Sequence, residues 1–399
     1  MPLLRSSSGL DAILNRPEDD GFAAHLLSSP LSTVARYLYD FFPVSHPVVY
    51  PHGSGNDRID DAVTVVCVSD THNTKPHLPP GDILVHAGDL TASGTRRELR
   101  EALEWIRAQP HRFKVVVAGN HDLCLDKGYG KGIKLCGRSQ GDGSSSISRR
   151  DDEEDDDGSP LDWGDIIYLN RTATTLTIPP RRPSDGNRTY ADREIRVYGS
   201  PYTPRHGKWA FQYPRSGGAA PYCSSSSSSS LRKTEIDNDT SADPWRGTIP
   251  PGTDVLVTHA PPKGHMDDPR GHWGCEMLLA EVWRARPRLH VFGHVHCGRG
   301  REAVAFDALQ AAYEDVVLLE AEAFAVATGG GGGVGTRVGN VVMAWVKALL
   351  ALGWCFLVWG WVLWWCGGRR GTGGTVFVNA AAVGGVRDRL VREAVVVRI

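Results

Sequence analysis

The stretch Val63-Thr-Val-Val-Cys-Val-Ser-Asp-Thr-His72 joins a run of apolar, mostly β-branched residues directly to an aspartate and a histidine. Such a short run predicts a strand that is covered on both faces of a sheet. Polar residues just past the carboxyl end of a buried strand face the crevice where α/β proteins bind ligands. The stretch therefore predicts an α/β fold with a site that includes Asp70 and His72.

The same arrangement, an apolar run followed by polar residues, recurs four times. The runs 83–85, 113–118, 255–257 and 289–292 precede the motifs Gly88-Asp89, Gly119-Asn120-His121-Asp122, Thr258-His259-Ala260 and Gly293-His294-Val295-His296. Two carboxylates, an amide and several imidazoles form the ligand mixture that holds two divalent metals for attack on a phosphate ester. The five motifs together predict a catalytic metal centre, although each alone could be a simple turn.

A helix is predicted between the second and third of these strands. Thr95 and Glu98 form a capping-box pattern, and Leu99, Leu103 and Ile106 fall on one helical face. A strand, a helix and a strand in this order predict parallel neighbouring strands with a right-handed crossover.

With the motifs placed, the chain resembles the calcineurin-like metallophosphoesterase superfamily, and within it the small metallophosphoesterase-domain-containing proteins. The resemblance covers roughly residues 61–325 and 375–382, with interruptions. Besides the five motifs it includes Gly81-Asp-Ile-Leu84, Ile195-Arg-Val-Tyr-Gly-Ser-Pro201, Trp209-Ala-Phe211 and Val376-Phe-Val-Asn-Ala380. It implies a four-layer α-β-β-α sandwich, two packed sheets flanked by helices.

The resemblance also implies roles for individual residues. One metal is expected among Asp70, His72, Asp89 and His296, and the other among Asp89, Asn120, His259 and His294. Asp89 would bridge the two ions, and a hydroxide between them would be the nucleophile. His121 would be the catalytic residue that stabilises developing charge or protonates the leaving oxygen.

The predicted activity is metal-dependent hydrolysis of a phosphodiester, because the similar proteins are associated with phosphodiesterase activity. The alternatives are a phosphomonoesterase acting on nucleotides or proteins, and a non-catalytic scaffold that keeps the metals. Mixed oxygen and nitrogen ligands admit Mn, Fe, Zn or Mg as the two divalent ions. The physiological phosphate ester is not determined by the sequence.

Several other basic residues lie close enough to the motifs in the sequence to belong to the site. His86 lies inside the second strand and is predicted to be a core residue or a neighbour of the ligands rather than a ligand. Lys263, His265 and Arg205 are predicted to lie on loops near the motifs, where they could meet substrate phosphate. Solvated loop residues are the favoured interpretation of all three.

Composition favours a cytoplasmic enzyme with a small-molecule substrate. The formal net charge is −2 at pH 7, which gives no global basic field for nucleic acid. The 8 cysteines show no compact disulfide framework, and the first fifteen residues lack the continuous apolar core of a signal peptide. The oligomeric state is left open.

The chain is predicted to consist of an N-terminal extension, 1–60, and a metallophosphoesterase domain, 61–399. The extension contains apolar stretches at 22–27 and 34–42 that suggest one or two short helices. Two insertions in the domain, 137–160 and 214–245, are rich in Gly, Ser or acidic residues and are predicted to be flexible.

A third insertion, 329–374, has glycine-rich flanks around the hydrophobic segment 341–366. This segment contains six tryptophans and one charged residue, Lys347. As a helix the segment is long enough to cross a bilayer. The strand expected at 376–378 would then be separated from its own sheet, so an interfacial or re-entrant membrane contact is preferred. A tail anchor and a mistranslated noncoding stretch are the competing interpretations.

Overall fold

A computed structural model describes residues 21–42, 44, 62–129, 160–180, 192–214, 243–267, 273–328, 334–367, 374–384 and 390–399. The predicted flexible insertions 137–160 and 214–245 lie outside these residues except at their ends. The division into an extension and a domain at residue 60 stays a prediction.

The helices and strands follow one another in an alternating α/β order. The helices are α1 Gly21–Ser28, α2 Pro30–Asp40, α3 Arg96–Arg107, α4 Glu276–Ala285, α5 Ala308–Thr328 and α6 Val334–Trp365. The strands are β1 Thr64–Val68, β2 Ile83–Ala87, β3 Phe113–Val117, β4 Ile166–Tyr168, β5 Thr172–Ile178, β6 Arg193–Ser200, β7 Thr203–Pro204, β8 Gln212–Tyr213, β9 Val255–Thr258, β10 Leu289–Phe292, β11 Gly300–Val304, β12 Thr375–Asn379, β13 Val383–Gly384, β14 Leu390–Val391 and β15 Val395–Arg398.

Two large sheets carry the five motifs. The first has the strand order β15-β1-β2-β3-β4, and the second has the order β11-β12-β10-β9-β6-β5. Strands β1 to β4 are parallel, as are β12, β10, β9 and β6, whereas β15, β11 and β5 are antiparallel edge strands. The predicted parallel arrangement of the first three strands is confirmed.

The two sheets pack face to face through a buried apolar core. Val65, Val85 and Val115 from the first sheet share one cluster with Val197 and Val257 from the second. Burying a side chain of this size stabilises the fold by about 1.5–3 kcal/mol. Helix α3 covers the outer face of the first sheet, and α4 covers that of the second. These are the four layers of the predicted α-β-β-α sandwich, which is confirmed.

Helix α3 forms as its sequence predicts. Thr95 is the N-cap and its hydroxyl accepts a hydrogen bond from the amide of Glu98, while the Glu98 carboxylate accepts one from the Thr95 amide. Leu99, Leu103 and Ile106 are buried against the sheet. The cap and the apolar stripe together fix where the helix begins and which face it turns inward.

The N-terminal extension packs on the domain through α2, at the surface of α5. The Glu320 carboxylate accepts hydrogen bonds from the amides of Leu31 (3.0 Å) and Ser32 (2.8 Å), in the first turn of α2. A carboxylate at this end of a helix satisfies free amides and complements the helix dipole. The expected helices are thus confirmed, and the sequence had not shown what they pack against.

Helices α5 and α6 form a hairpin between the antiparallel neighbours β11 and β12. The two helices pack together along their length. The predicted insertion bounds, 329–374, stay a prediction. By length and composition, Val338–Trp365 within α6 could cross a membrane, and this was the one such helix found in the described part of the chain.

Candidate metal centre

The predicted site residues lie together where the carboxyl ends of the parallel strands of both sheets meet. Asp70 and Asp89 follow β1 and β2 by two residues, His259 follows β9 directly, and His294 follows β10 by two residues. Because neighbouring strands in each sheet are parallel, their ends deliver these side chains to one crevice. The face-to-face packing of the sheets then brings the two halves of the site together.

One group of possible metal ligands consists of Asp70, His72 and His296, in which one nitrogen or carboxylate oxygen from each residue lies within 4.8 Å of the others. The Nε2 atom of His296 is 3.3 Å from Asp70 Oδ1. The amide of His294 donates to both Asp70 oxygens at 3.0 Å, which fixes the plane of the carboxylate. A rigid carboxylate is suited to holding an ion in defined geometry.

A second group consists of Asp89, His259 and His294 under the same 4.8 Å limit. Asp89 Oδ2 is 3.3 Å from His259 Nε2 and 3.7 Å from His72 Nε2, so this oxygen faces ligands predicted for both metals. Asn120 Oδ1 lies 3.0 Å from His259 Nε2. All seven predicted ligands therefore converge, with Asp89 between the two groups; that they bind metal stays a prediction.

Backbone carbonyls set the orientation of three imidazoles. The Nδ1 atoms of His72, His121 and His259 lie 3.2, 2.9 and 2.9 Å from the carbonyl oxygens of residues 91, 92 and 87. A carbonyl only accepts hydrogen bonds, so each Nδ1 carries a proton. In His72 and His259 this leaves Nε2 directed towards Asp89, which is the usual way a protein orients a histidine ligand.

The backbone is strained at four of the predicted ligands. Asp70, His72, Asp89 and His294 have φ angles of 50°, 41°, 53° and 66°. Non-glycine residues in this left-handed region cost about 1–3 kcal/mol each and cluster at functional sites. Here the strain is tolerated because strand ends and hydrogen bonds on both sides hold these residues.

Gly119 and Gly293 make the close packing of the carboxylates possible. A Cβ atom on Gly293 would lie 2.0 Å from Asp70 Oδ2, and one on Gly119 would lie 2.2 Å from Asp89 Oδ1. Any side chain at either position would displace a predicted ligand. The absence of a side chain at these two glycines therefore leaves room for the carboxylates of Asp70 and Asp89.

Asp89, His294 and His72 are in the protonation states that bind metal, whereas His259 is not. Burial alone would lower the pKa of His259, but the charge and hydrogen bond of Asp89 outweigh burial and raise this pKa to about 9, so a metal would have to displace the proton. Burial alone would raise the pKa of Asp89, but the charge and hydrogen bond of His259 outweigh it and hold this pKa well below its usual range. Burial lowers the pKa of His294 to about 3 and also lowers that of His72. The two imidazoles are thus neutral at pH 7, the form in which histidine donates to a metal.

Asp122 is a structural carboxylate that the sequence did not single out. Its oxygens accept hydrogen bonds from the amides of Leu90, Thr91 and Gly119 and from the Thr91 hydroxyl, at 2.7–3.3 Å. It joins the loop after β2 to the loop after β3. Burial and the neighbouring Asp89 raise its pKa to about 6. Its position directly after His121 in the third motif is the signal that could have identified it.

A loop between β7 and β8 forms a wall beside His121. The indole of Trp209 stacks on the His121 ring with centroids 4.1 Å apart and an interplanar angle of 27°. The amide of Ala210 donates to the Asn120 carbonyl at 3.1 Å, and the Phe211 amide donates to the Asp126 carboxylate at 2.8 Å. The loop is therefore anchored to the motif that carries Asn120 and His121.

Of the residues predicted to lie on solvated loops, the structure corrects the prediction for His265 and agrees with the one for Arg205. His265 is fully buried and bonded to Glu302 and Glu314, so it is neither a solvated loop residue nor a phosphate contact. Lys263 Nζ lies 3.9 Å from Glu276, and Arg205 is exposed. His86 is a buried core residue 3.0 Å from the Thr71 hydroxyl and outside the ligand groups, as predicted.

A two-sheet α/β sandwich with His, Asp and Asn side chains gathered at its strand ends defines a class of metal-binding domain. A model of the calcineurin-like phosphoesterase family matches residues 51–298. The chain belongs to this family. The five motifs lie inside the matched region, whereas α5, α6 and the C-terminal strands follow it.

Curated relatives share the domain to different extents. The chain is 38% identical to a protein of Emericella nidulans named "Probable rhamnogalacturonate lyase C", over 98% of this chain and 29% of that protein. It is 32% identical to human metallophosphoesterase domain-containing protein 1, over 65% of each chain. A UPF0046 protein of Caenorhabditis elegans is 32% identical over 58% of this chain and 63% of its own length.

Proposed function

We propose that this chain is a phosphoesterase that hydrolyses phosphodiesters with two divalent metal ions. The observation that carries the proposal is the position of Asp89, whose Oδ2 atom faces His259 at 3.3 Å and His72 at 3.7 Å. One carboxylate between two groups of imidazoles is the arrangement that a pair of neighbouring cations requires.

The donor set fits such a pair. Asp70, His72 and His296 would hold one ion with Asp89, and Asn120, His259 and His294 would hold the other with Asp89. Two bound divalent cations supply Lewis acidity and lower the pKa of water to near neutrality. Mixed nitrogen and oxygen donors suit Mn, Fe or Zn, and admit Mg.

His121 is proposed as the residue that acts on the leaving group. Its amide donates to Asp89 Oδ1 at 2.8 Å, and its Nδ1 proton is held by the carbonyl of Ala92. Nε2 would therefore pass a proton to the leaving oxygen from the imidazolium form, which leaves the ring neutral with its proton on Nδ1. It is only partly buried. A positioned histidine of this kind contributes roughly a hundred- to ten-thousandfold to a rate by moving a proton in the transition state.

Charge around the site supports a diester over a monoester. A phosphodiester carries one negative charge near neutral pH, whereas a monoester carries close to two and benefits from additional cationic side chains. Of the three basic residues predicted to lie near the motifs, Lys263 lies beside Glu276 and His265 is buried with two glutamates, whereas Arg205 is exposed. A phosphomonoesterase acting on nucleotides or proteins is the alternative.

The proposal is tested by assaying metal-reconstituted protein with bis-aryl and mono-aryl phosphates, using wild type, Asp89→Asn and His121→Ala. Wild type is expected to prefer the bis-aryl ester. Asp89→Asn should lose both activity and metal, whereas His121→Ala should lose a hundredfold or more in rate, about the range for a proton donor, and keep its metals. Equal activity in all three proteins would contradict the mechanism.

A non-catalytic scaffold predicts bound metal without hydrolysis under Mn²⁺, Fe or Zn²⁺ supplementation. The seven convergent ligands and the available His121 argue against it. Lyase chemistry, which the name of the fungal relative mentions, is not proposed, because this chain spans only 29% of that protein and the metal-type motifs lie where the phosphoesterase model matches.

The proposed setting is the cytoplasm, with membrane contact through 341–366. The described cysteines at positions 67, 124, 275, 355 and 366 are free thiols, which suits a reducing compartment. The exposed apolar surface of α6 supports the membrane contact. Sedimentation of the full chain with or without membranes tests it: recovery of a monodisperse protein wholly in the soluble fraction would contradict it.

A further inference from the structure

Between Val338 and Trp365 the outward face of α6 is apolar apart from the exposed Asn340 and Lys347. Its exposed large residues include Leu350 at 70%, Leu357 at 68% and Trp364 at 83% of their full accessible surface. The others are Val338, Val342, Met343, Val346, Leu349, Trp354, Phe356, Trp361, Leu363 and Trp365. Soluble monomers rarely expose one continuous apolar surface of this size, so this face requires a covering partner.

The opposite face of α6 is occupied by the protein. Ala344, Ala348, Cys355, Val358 and Val362 are buried and recur at spacings of three, four or seven residues, which places them in one stripe. Cys355, Val358 and Val362 share a cluster with residues of α2 and α5. Helix α6 is thus fixed lengthwise against α5, with roughly half of its circumference facing outward.

The topology sets how α6 can meet a bilayer. Strands β11 and β12 are paired neighbours in one sheet, and α5 and α6 lie between them in the sequence. The two ends of the hairpin therefore connect to neighbouring strands at the same edge of the second sheet. If α6 crossed the membrane, its buried residues would lose their contacts with α5. Contact with the membrane along the length of α6 leaves that packing intact.

Charge favours an anionic lipid surface over a protein as the partner. Between residues 323 and 374 the sequence has four basic residues, Arg337, Lys347, Arg369 and Arg370, and no acidic one, although the whole chain has a net charge of −2. Basic residues beside a membrane-facing segment each contribute about 1 kcal/mol of attraction to anionic headgroups.

Aromatic residues concentrate at the C-terminal end of the same face. Trp361, Trp364 and Trp365 are exposed there, and Phe41 of the N-terminal extension packs edge-on against Trp359 at 5.7 Å. Tryptophan is enriched at the level of lipid headgroups because its ring is apolar and its N–H is polar. Phe41, which directly follows α2, and Tyr37 within α2 are exposed as well.

We propose that α6 lies in the plane of an anionic phospholipid bilayer, with its outward half among the upper acyl chains and its buried stripe on α5. This inference rests on the proposed membrane contact through 341–366 and is independent of the chemistry at the metal centre. The domain would then be attached to one leaflet, with its helical hairpin on the membrane side.

The experiment uses the full chain and vesicles of phosphatidylcholine with or without phosphatidylserine, separated by flotation. Wild type is expected to float with the anionic vesicles. The double substitution Leu350→Glu and Leu357→Glu, at two outward positions seven residues apart, should abolish flotation without affecting folding because both side chains are exposed. Lys347→Gln should weaken binding about fivefold, whereas Arg246→Gln, at an exposed arginine in the turn before β9, should not.

The depth of α6 is measured by quenching of tryptophan fluorescence with lipids brominated near the headgroup or near the chain end. In-plane binding predicts stronger quenching by the shallow bromines. Equal or stronger quenching by the deep bromines would overturn the in-plane arrangement while leaving membrane contact intact.

Two outcomes would overturn the lipid proposal itself. One is failure to bind either vesicle; the other is a stable dimer without detergent that Leu350→Glu and Leu357→Glu dissociate, which would make a second copy the partner. Hydrolysis is assayed separately without vesicles, so failure of the phosphodiesterase proposal does not affect these results.

Discussion

The indole of Trp209 covers one face of the His121 ring, with the two centroids 4.1 Å apart and the planes inclined by 27°. The other constraint on this imidazole is its Nδ1–H bond to the carbonyl of Ala92, 2.9 Å away. One contact fixes the direction of the ring and the other its tilt. Together they hold the His121 ring beside the predicted ligands His72 and Asp89.

Replacing Trp209 should therefore slow hydrolysis without removing metal. Trp209→Ala is expected to lower kcat roughly ten- to a hundredfold, because a catalytic group displaced by a fraction of an ångström loses much of its rate advantage. Trp209→Phe keeps an aromatic face against His121 and should retain most of the activity. Steady-state kinetics and metal analysis on both variants make the comparison.

A role limited to holding the loop would give a different pattern. Trp209→Ala would then reduce bound metal or thermal stability, and the double variant with His121→Ala would be slower than His121→Ala alone. Positioning through His121 predicts that the two substitutions together are no worse than His121→Ala by itself.

Gly293→Ala is expected to weaken metal binding by at least about tenfold. The new Cβ would sit 2.0 Å from Asp70 Oδ2 and 2.2 Å from the Ser69 hydroxyl, both part of the loop that follows β1. Asp70 would have to move away from His296. Titration calorimetry with Mn²⁺ or Zn²⁺ measures the change.

The matched control is Gly353→Ala in α6, where a Cβ atom would meet no heavy atom within 4 Å. It should leave metal affinity unchanged and slightly favour the helix. Unaltered metal affinity in Gly293→Ala would show that Asp70 and Ser69 can move aside without weakening the binding of metal.

The stability of the fold should depend on pH through His265. Its ring lies between Glu302 (3.2 Å) and Glu314 (2.9 Å), with Arg36 bonded to Glu302 and the Tyr39, Tyr313 and Phe377 rings packed around it. Burial alone would lower the pKa of His265, but the two glutamates outweigh it and raise the pKa to about 9 from 6.5.

A histidine pKa that is higher in the folded state stabilises the protein fully below the unfolded pKa and loses this contribution as the pH rises through the folded pKa. The free energy of unfolding should thus fall between pH 6.5 and 9, by an amount on the order of 3 kcal/mol. Denaturant titrations across this range should show a flatter profile for His265→Gln. His77→Gln, at an exposed histidine, should keep the wild-type slope.

The attachment of the N-terminal extension should depend on Glu320. Glu320→Ala leaves the buried amides of Leu31 and Ser32 without their acceptor and is expected to lower the free energy of unfolding by about 1–3 kcal/mol. Glu322→Ala, two residues further along the same helix and exposed, should change it by less than about 0.5 kcal/mol. Equal effects of the two substitutions would contradict the capping role.

Local sequence predicted the strands well, because the five apolar runs are short, mostly rich in β-branched residues and largely buried on both faces. The predicted run 289–292 coincides with β10, and Thr95 caps α3 as its capping box indicates. Edge strands were harder to predict. Strand β15 pairs with β1 from the far end of the chain, and no local pattern in Val395–Arg398 specifies that pairing.

The candidate site shows the same division. The ligand motifs were visible because strand ends in a parallel sheet share one edge, so order and residue type sufficed. The environment of His265 was not visible, because Glu302 and Glu314 reach it from two separate elements and Arg36 bonds Glu302 from a third. Its neighbours in the sequence, Gly264 and Met266, resemble those of an exposed loop.

The sequence by itself determined the α/β class, the strands and the residue types at their carboxyl ends, since these depend on local periodicity and on chemistry fixed residue by residue. The resemblance implied that Asp89 lies between two ligand groups, but only the tertiary structure decided the distances there, that Trp209 covers His121 and that α6 keeps one face outward. Those relationships join residues far apart in the chain, and packing of the two sheets and of α5 against α6 sets them.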